Sequence, residues 1–121
     1  MSTILVTGAA GFIGSAVTRA LLAQGGKVIA LDALTYAGNR ASLPEDENLT
    51  FVQGDIRDRV LLDQLISDHR VEQLYHLAAE SHVDRSLDVP LEFIETNVTG
   101  TASVLEAVRA APHKIRMLHI S

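Results

Sequence analysis

Short unbroken apolar runs alternate along this chain with longer stretches in which apolar residues return every three or four positions. A run that is apolar at every position marks a strand covered by helices on both faces, whereas the longer period marks an amphipathic helix. Ile4-Leu5-Val6, Val28 to Leu31, Phe51-Val52, Leu74 to Leu77 and Ile115 to Ile120 read as five strands. Between the first two, Phe12, Ile13, Ala16, Val17, Ala20 and Leu21 recur at helical spacing, and Gly25-Gly26 closes that helix with residues that tolerate a left-handed cap. Asp58 stands where an N-cap belongs, ahead of a helix whose core face holds Leu61, Leu62, Leu65 and Ile66. Pro90 opens the longest helix, with Phe93 or Ile94, Val98, Ala102, Leu105 and Val108 inward, and Pro112 follows its end. The order β-α-β-loop-β-α-β-α-β predicts an α/β fold, a doubly wound parallel sheet of five strands.

Composition narrows what such a sheet can serve. With 121 residues, 47% of them hydrophobic, the chain has material for one domain, 1–121, and an apolar core. Its net charge of −5 argues against a surface that tracks nucleic-acid phosphates, yet leaves room for a small anionic ligand held by local dipoles. The absence of cysteine removes disulfides, thiolate nucleophiles and Cys-based metal sites, and fits a reducing cytoplasm. No charged side chain occurs before Arg19, but a basic leader is missing and glycines interrupt the apolar character, so this stretch reads as folded structure, neither targeting segment nor membrane anchor. The sequons at Asn48 and Asn97 then carry no meaning.

The stretch Val6 to Gly14, VTGAAGFIG, lies between the first strand and the first helix, where a dinucleotide's pyrophosphate can sit on the helix N-terminus. In that setting Gly8 makes the tight turn, Gly11 removes a side chain that would block the phosphate, and Gly14 lets helix and strand pack closely. Asp32 ends the second strand at the distance expected of an acid that accepts from the adenosine ribose hydroxyls and repels a 2′-phosphate, which favours NAD over NADP. A plain strand-to-helix turn with a solvated Asp32 is the alternative, and the order of strand, glycines, helix and acid speaks against it.

The Gly-x-x-Gly-x-x-Gly spacing resembles the extended short-chain dehydrogenase/reductases, a Rossmann-like superfamily. Four further stretches sharpen the match: LDALTYAGN (31–39), GDIRD (54–58), HLAAESHVDRS (76–86) and TNVTGT (96–101). Together they resemble the dTDP-glucose 4,6-dehydratase family along the whole chain, which corresponds to the N-terminal part of such enzymes. The resemblance implies that Phe12 and Ile13 offer backbone N–H groups to the pyrophosphate, and that Asp32, Leu34 and Thr35 line the ribose. By the same resemblance Asp55 and Ile56 meet the adenine, Leu77, Ala78, Ala79, Glu80 and Thr96 contact the cofactor, and Ser81 touches dTDP-glucose. Asn97 and Gly100, poor helix formers in a predicted helix, read as close-packing positions. His82, Asp84 and Arg85 lack metal-ligand spacing, and no metal is expected. His76 and His119, inside apolar strands, read as hydrogen-bonded core or edge residues, and Tyr36 packs on a ligand or merely covers its loop.

Family chemistry implies hydride transfer from sugar C4 to NAD, loss of water across C5 and C6, and hydride return at C6. It requires a Tyr-x-x-x-Lys pair and an Asp-Glu pair. Tyr36 is followed four residues later by Arg40 and Tyr75 by Ala79, and the only lysines are Lys27 and Lys114, so no catalytic residue is assigned. The family's Thr-Asp-Glu follows a strand resembling MLHIS, so the chain is expected to be truncated before the substrate domain and inactive alone. Ile115, Met117, Leu118 and Ile120 on the last strand predict an apolar edge and self-association, the full-length family being homodimeric. A stand-alone NAD-binding module and a related nucleotide-sugar epimerase or UDP-sugar dehydratase are the other readings.

Overall fold

The computed structural model of the chain describes residues 3–33, 43–77 and 100–119. Within them run β1 (Thr3–Thr7), α1 (Phe12–Ala23), β2 (Lys27–Asp32), β3 (Leu49–Gln53), α2 (Arg59–Asp68), β4 (Gln73–His76), α3 (Gly100–Ala110) and β5 (Arg116–His119). All five strands pair in parallel, in the order β3-β2-β1-β4-β5. The chain thus winds outward from β1 to β3, returns to the far side of β1 with β4, and winds outward again, which is the expected Rossmann-like sheet.

Alternation along the strands splits the core into two layers. Leu5, Ile29, Leu31 and Leu74 meet Leu62, Leu65 and Ile66 of α2 and Val104 and Ala107 of α3 on one face. Ile4, Val6, Val28 and Ala30 meet Leu21 of α1 and Leu43 on the other. Burial on both faces explains why β1 and β2 are apolar throughout between their first residues, Thr3 and Lys27, and their last, Thr7 and Asp32, at their carboxyl ends.

Helix α1 turns a different face to the sheet from the one its apolar period predicts. Gly14, Ser15, Thr18 and Leu21 are buried, with Val17 and Leu22 packed beside them, whereas Phe12 is 91% exposed, Ile13 57% exposed, and Ala16 and Ala20 lie outside. The reason is proximity. Small residues let the helix axis approach the β1–α1 turn, and the two buried hydroxyls return to their own helix, Ser15 Oγ donating to the Phe12 carbonyl at 3.1 Å and Thr18 Oγ1 to the Gly14 carbonyl at 2.8 Å.

Helix α2 follows expectation. Asp58 accepts from Leu61 N–H at 3.1 Å, and Leu62, Leu65 and Ile66 are buried with Leu61 half-buried. Helix α3 does so only in part, because Gly100, Val104 and Ala107 face inward with Val108 half-buried, while Ala102 is exposed and Leu105 is 53% exposed. Gly100 opens the described helix hard against Ile56: an added Cβ would lie 2.7 Å from Ile56 Cγ1. Pro90, Phe93, Ile94, Asn97, Val98 and Ile120 lie outside the described residues.

Two helix ends share one hydrogen-bonded form. After α1, Gly26 N–H donates to the Leu21 carbonyl with Gly25 left-handed at φ +86°; after α2, Val71 N–H donates to the Ile66 carbonyl with Arg70 at φ +48°. The second places a side-chain-bearing residue where glycine costs least. No helix among the described residues is long and apolar enough to cross a membrane.

Candidate functional site

Thr7, Asp32, Gln53, His76 and His119 end β1 through β5 at one edge of the sheet. The winding reverses between β1 and β4, so helices leave that edge in opposite directions and a crevice opens outside it, where doubly wound sheets bind ligands.

On one side of the crevice the chain leaves β1 through Gly8, left-handed at φ +69°, whose N–H donates to the Leu31 carbonyl at 2.9 Å. Gly11 N–H closes the turn on the Gly8 carbonyl at 3.2 Å, and the first return bond of α1 runs from Ser15 N–H to the Gly11 carbonyl at 2.8 Å. The N–H groups of Phe12, Ile13 and Gly14 precede it at the positive end of the helix. Gly11 caps this end without a side chain, and no acidic residue occupies the first turn. A Cβ on Gly14 would drive into the Gly8 carbonyl oxygen. Only glycine permits this approach.

Asp32 binds the same turn from β2. It is 9% exposed, its Oδ2 accepts from Ala10 N–H at 2.9 Å, and its carbonyl accepts from Gly54 N–H at 3.0 Å, so the ends of β2 and β3 and the glycine turn form one connected edge. Beyond Gly54 the Asp55 carboxylate is forked by Arg57, with Nη2 to Oδ2 at 2.6 Å, Nε to both oxygens at 3.1 Å, and Arg57 N–H to Oδ1 at 2.8 Å. The side-chain bond from Arg57 holds this carboxyl below the usual aspartate range, although burial pulls it the other way. Ile56 is buried under α3.

Across the switch point, Thr7 Oγ1 accepts from Leu77 N–H at 3.0 Å and lies 2.7 Å from His76 Nδ1, while His76 Nε2 lies 3.0 Å from Thr101 Oγ1 on α3. His76 is fully buried, with the His119 ring 4.9 Å away, centroid to centroid. Burial, with a smaller contribution from His119, lowers its pKa to about 4, so the ring is neutral.

Of the residues the sequence singles out, Gly8, Gly11, Phe12, Ile13, Gly14, Asp32, Asp55, Ile56 and Leu77 therefore gather along one edge of the sheet. Leu34, Thr35, Ala78, Ala79, Glu80, Ser81 and Thr96 lie outside the described residues, as do Tyr36, His82, Asp84 and Arg85. Sequence reasoning passed over Ala10 and Thr101, which act through an N–H and a hydroxyl on partners fixed by tertiary structure. It also passed over Arg57, whose place two residues after Asp55 in a turn was a usable signal. No group of three metal-ligating side chains occurs among the described residues.

This edge fits a dinucleotide: a bare helix end for two phosphates, a glycine that no other residue can replace, and a buried acid one strand away. The fold and the edge together define a dinucleotide-binding Rossmann domain. The chain belongs to the GDP-mannose 4,6-dehydratase family, whose model matches residues 5–121. Among individual relatives, dTDP-glucose 4,6-dehydratase of Xanthomonas campestris pv. campestris (strain B100) is 47% identical across all of this chain and 38% of its own length. The Mycobacterium tuberculosis (strain CDC 1551 / Oshkosh) enzyme of that name is 48% identical over 98% of this chain and 35% of its own. The crystal structure of dTDP-glucose 4,6-dehydratase DesIV from Streptomyces venezuelae, with NAD bound, superimposes with a TM-score of 0.89 at 48% identity, covering 97% of this chain and 38% of that one. UDP-glucose 4-epimerase of Thermotoga maritima superimposes with a TM-score of 0.79 at 38% identity, covering 87% of this chain and 33% of that one. The chain thus spans a little over a third of the length of the relatives it matches.

Proposed function

We propose that these 121 residues form the NAD-binding domain of a dTDP-glucose 4,6-dehydratase, the N-terminal portion that meets cofactor ahead of the groups that work on the sugar. The observation that carries the reading is the Gly8–Gly14 contact joined to the Asp32–Ala10 bond, a turn built at the cost of side chains on one flank and fastened to a carboxylate on the other. Phe12 and Ile13 N–H groups and the α1 dipole hold the pyrophosphate. Asp32 accepts from the adenosine ribose hydroxyls; a carboxylate has lone pairs enough to hold Ala10 N–H as well. Asp55 and Ile56 flank the adenine at the end of β3; Leu77, and by the family resemblance Ala78, Ala79, Glu80 and Thr96, contact the cofactor, and Ser81 contacts dTDP-glucose.

Bound NAD supplies the hydride acceptor at sugar C4 and the donor at C6. No Tyr-x-x-x-Lys occurs in this sequence, so these residues orient the cofactor and leave proton transfer to groups outside them. The absence of cysteine is in keeping with a reducing cytoplasm. Its structural likeness to the Thermotoga epimerase keeps a nucleotide-sugar epimerase as the second reading, and Thr35 to Asn39 with Glu80 to Ser86 favour the dehydratase.

The test is calorimetric titration with NAD and NADP, alongside an assay for 4-keto-6-deoxy sugar from dTDP-glucose. Saturable NAD binding, weaker NADP binding and no turnover are expected. NADP binding as tight as NAD would remove Asp32 from the ribose, and turnover would overturn the assignment of the chemistry to other residues.

A further inference from the structure

His76 is the one fully buried imidazole among the described residues, and both of its nitrogens are engaged. A hydrocarbon side chain would fill that position without the desolvation an imidazole incurs, so packing alone does not account for it. What the ring adds is a rigid body with a hydrogen-bonding atom on each of two edges.

Leu77 N–H already donates to Thr7 Oγ1, which leaves the threonine proton available to His76 Nδ1; the tautomer that uses it carries its proton on Nε2, 3.0 Å from Thr101 Oγ1. Those partners stand 69 and 25 residues away in sequence, on the end of β1 and in the first described turn of α3. The chain leaves the sheet edge at Leu77, next to His76, and is described again from Gly100, next to Thr101. Thr7 runs directly into the left-handed Gly8 of the turn, and Thr101 follows Gly100, which packs on Ile56.

We propose that His76 is a positioning residue: by clamping Thr101 of α3 to Thr7 of β1, it fixes the end of β1, from which the Gly8 turn leaves, against the first described turn of α3, and so raises affinity for the dinucleotide. This rests on the NAD-site reading above. The neutral ring is the form the clamp requires, since it has one donor and one acceptor, and the burial that lowers the pKa maintains that form. The His119 ring, tilted by 30°, lies beside it on β5.

Thr101→Val removes the hydroxyl at nearly constant volume, and Thr101→Ser restores it. Calorimetry should find NAD affinity about tenfold weaker in Thr101→Val and within about twofold of the parent in Thr101→Ser, with far-UV circular dichroism unchanged in both. Nitrogen-15 spectra of the imidazoles should show the Nε2–H tautomer for His76 at pH 7, with the Nε2 resonance moved by Thr101→Val. Unchanged NAD affinity in Thr101→Val, equal losses in both variants, or an Nδ1–H or charged ring in the parent would overturn the clamp. If the parent bound no NAD, the nucleotide-site reading would fall and this role with it; a parent that binds while Thr101→Val matches it would sink the clamp alone.

Discussion

The backbone N–H of Ala10 donates to Oδ2 of Asp32 across 2.9 Å, linking residues 22 apart in sequence, one in the β1–α1 turn and the other at the end of β2. A single carboxylate thus shapes the phosphate turn while standing where the ribose is proposed to sit. Asp32→Ala should cost about 1–3 kcal/mol in urea unfolding, because Ala10 N–H, itself buried, loses its acceptor, and should weaken NAD at least about tenfold. Asp32→Asn keeps an oxygen for Ala10 and should recover most of the stability but not the affinity. Parallel unfolding and calorimetric titrations of the two variants separate these effects.

Close approach by glycine is tested by ranking three substitutions in urea unfolding. Gly14→Ala presses a Cβ into backbone that cannot yield, and should destabilise by about 3 kcal/mol despite its gain in helix propensity. Gly100→Ala meets the end of the Ile56 side chain, which can turn away, and should cost about 1 kcal/mol or less. Arg70→Gly relieves a left-handed arginine and should stabilise by about 1 kcal/mol.

Acid should weaken the fold partly through His76. Its folded pKa of about 4 lies below the ordinary 6.5, so the unfolded chain takes up a proton that the folded chain refuses. The associated stability is complete above pH 6.5 and is lost as pH falls toward 4, by roughly 3 kcal/mol at most. Asp55, lowered by Arg57, acts in the same direction in more acidic solution. His76→Gln should flatten the unfolding free energy between pH 6.5 and 4 relative to the parent. Equal slopes in the two proteins would show that the imidazole titrates normally.

Among the described residues β5 lies at one edge of the sheet with β4 as its partner, and Leu118 on it is 47% exposed. A parallel edge that exposes a leucine invites pairing with another copy. Sedimentation should show concentration-dependent association, reduced in Leu118→Lys. A monomer at all concentrations would refute it.

The strands were legible because each holds a short apolar stretch between turn residues, and so were the Asp58 cap and the left-handed Gly25. Helix faces were less so. Counting apolar residues puts Phe12 and Ala16 inward on α1, yet steric room at the turn decides the matter, and Gly14, Ser15 and Thr18 take the inner face. On α3 the contact of Gly100 with Ile56 likewise turns Val104 and Ala107 inward and leaves Leu105 out. The His76 clamp was beyond reach, since it depends on β1 and β4 pairing with Thr7 opposite His76, a register that becomes visible once the sheet is assembled.

The central claim is that the bare turn between β1 and α1 holds a pyrophosphate beside Asp32. A nitrogen-15 correlation spectrum recorded during NAD titration tests it residue by residue. The account predicts saturable shifts concentrated at the amides of Gly11 to Gly14, Asp32 and Gly54 to Ile56. Shifts centred on the opposite edge, around Thr3, Gly25 and Lys27, or no shifts at millimolar NAD, would contradict it.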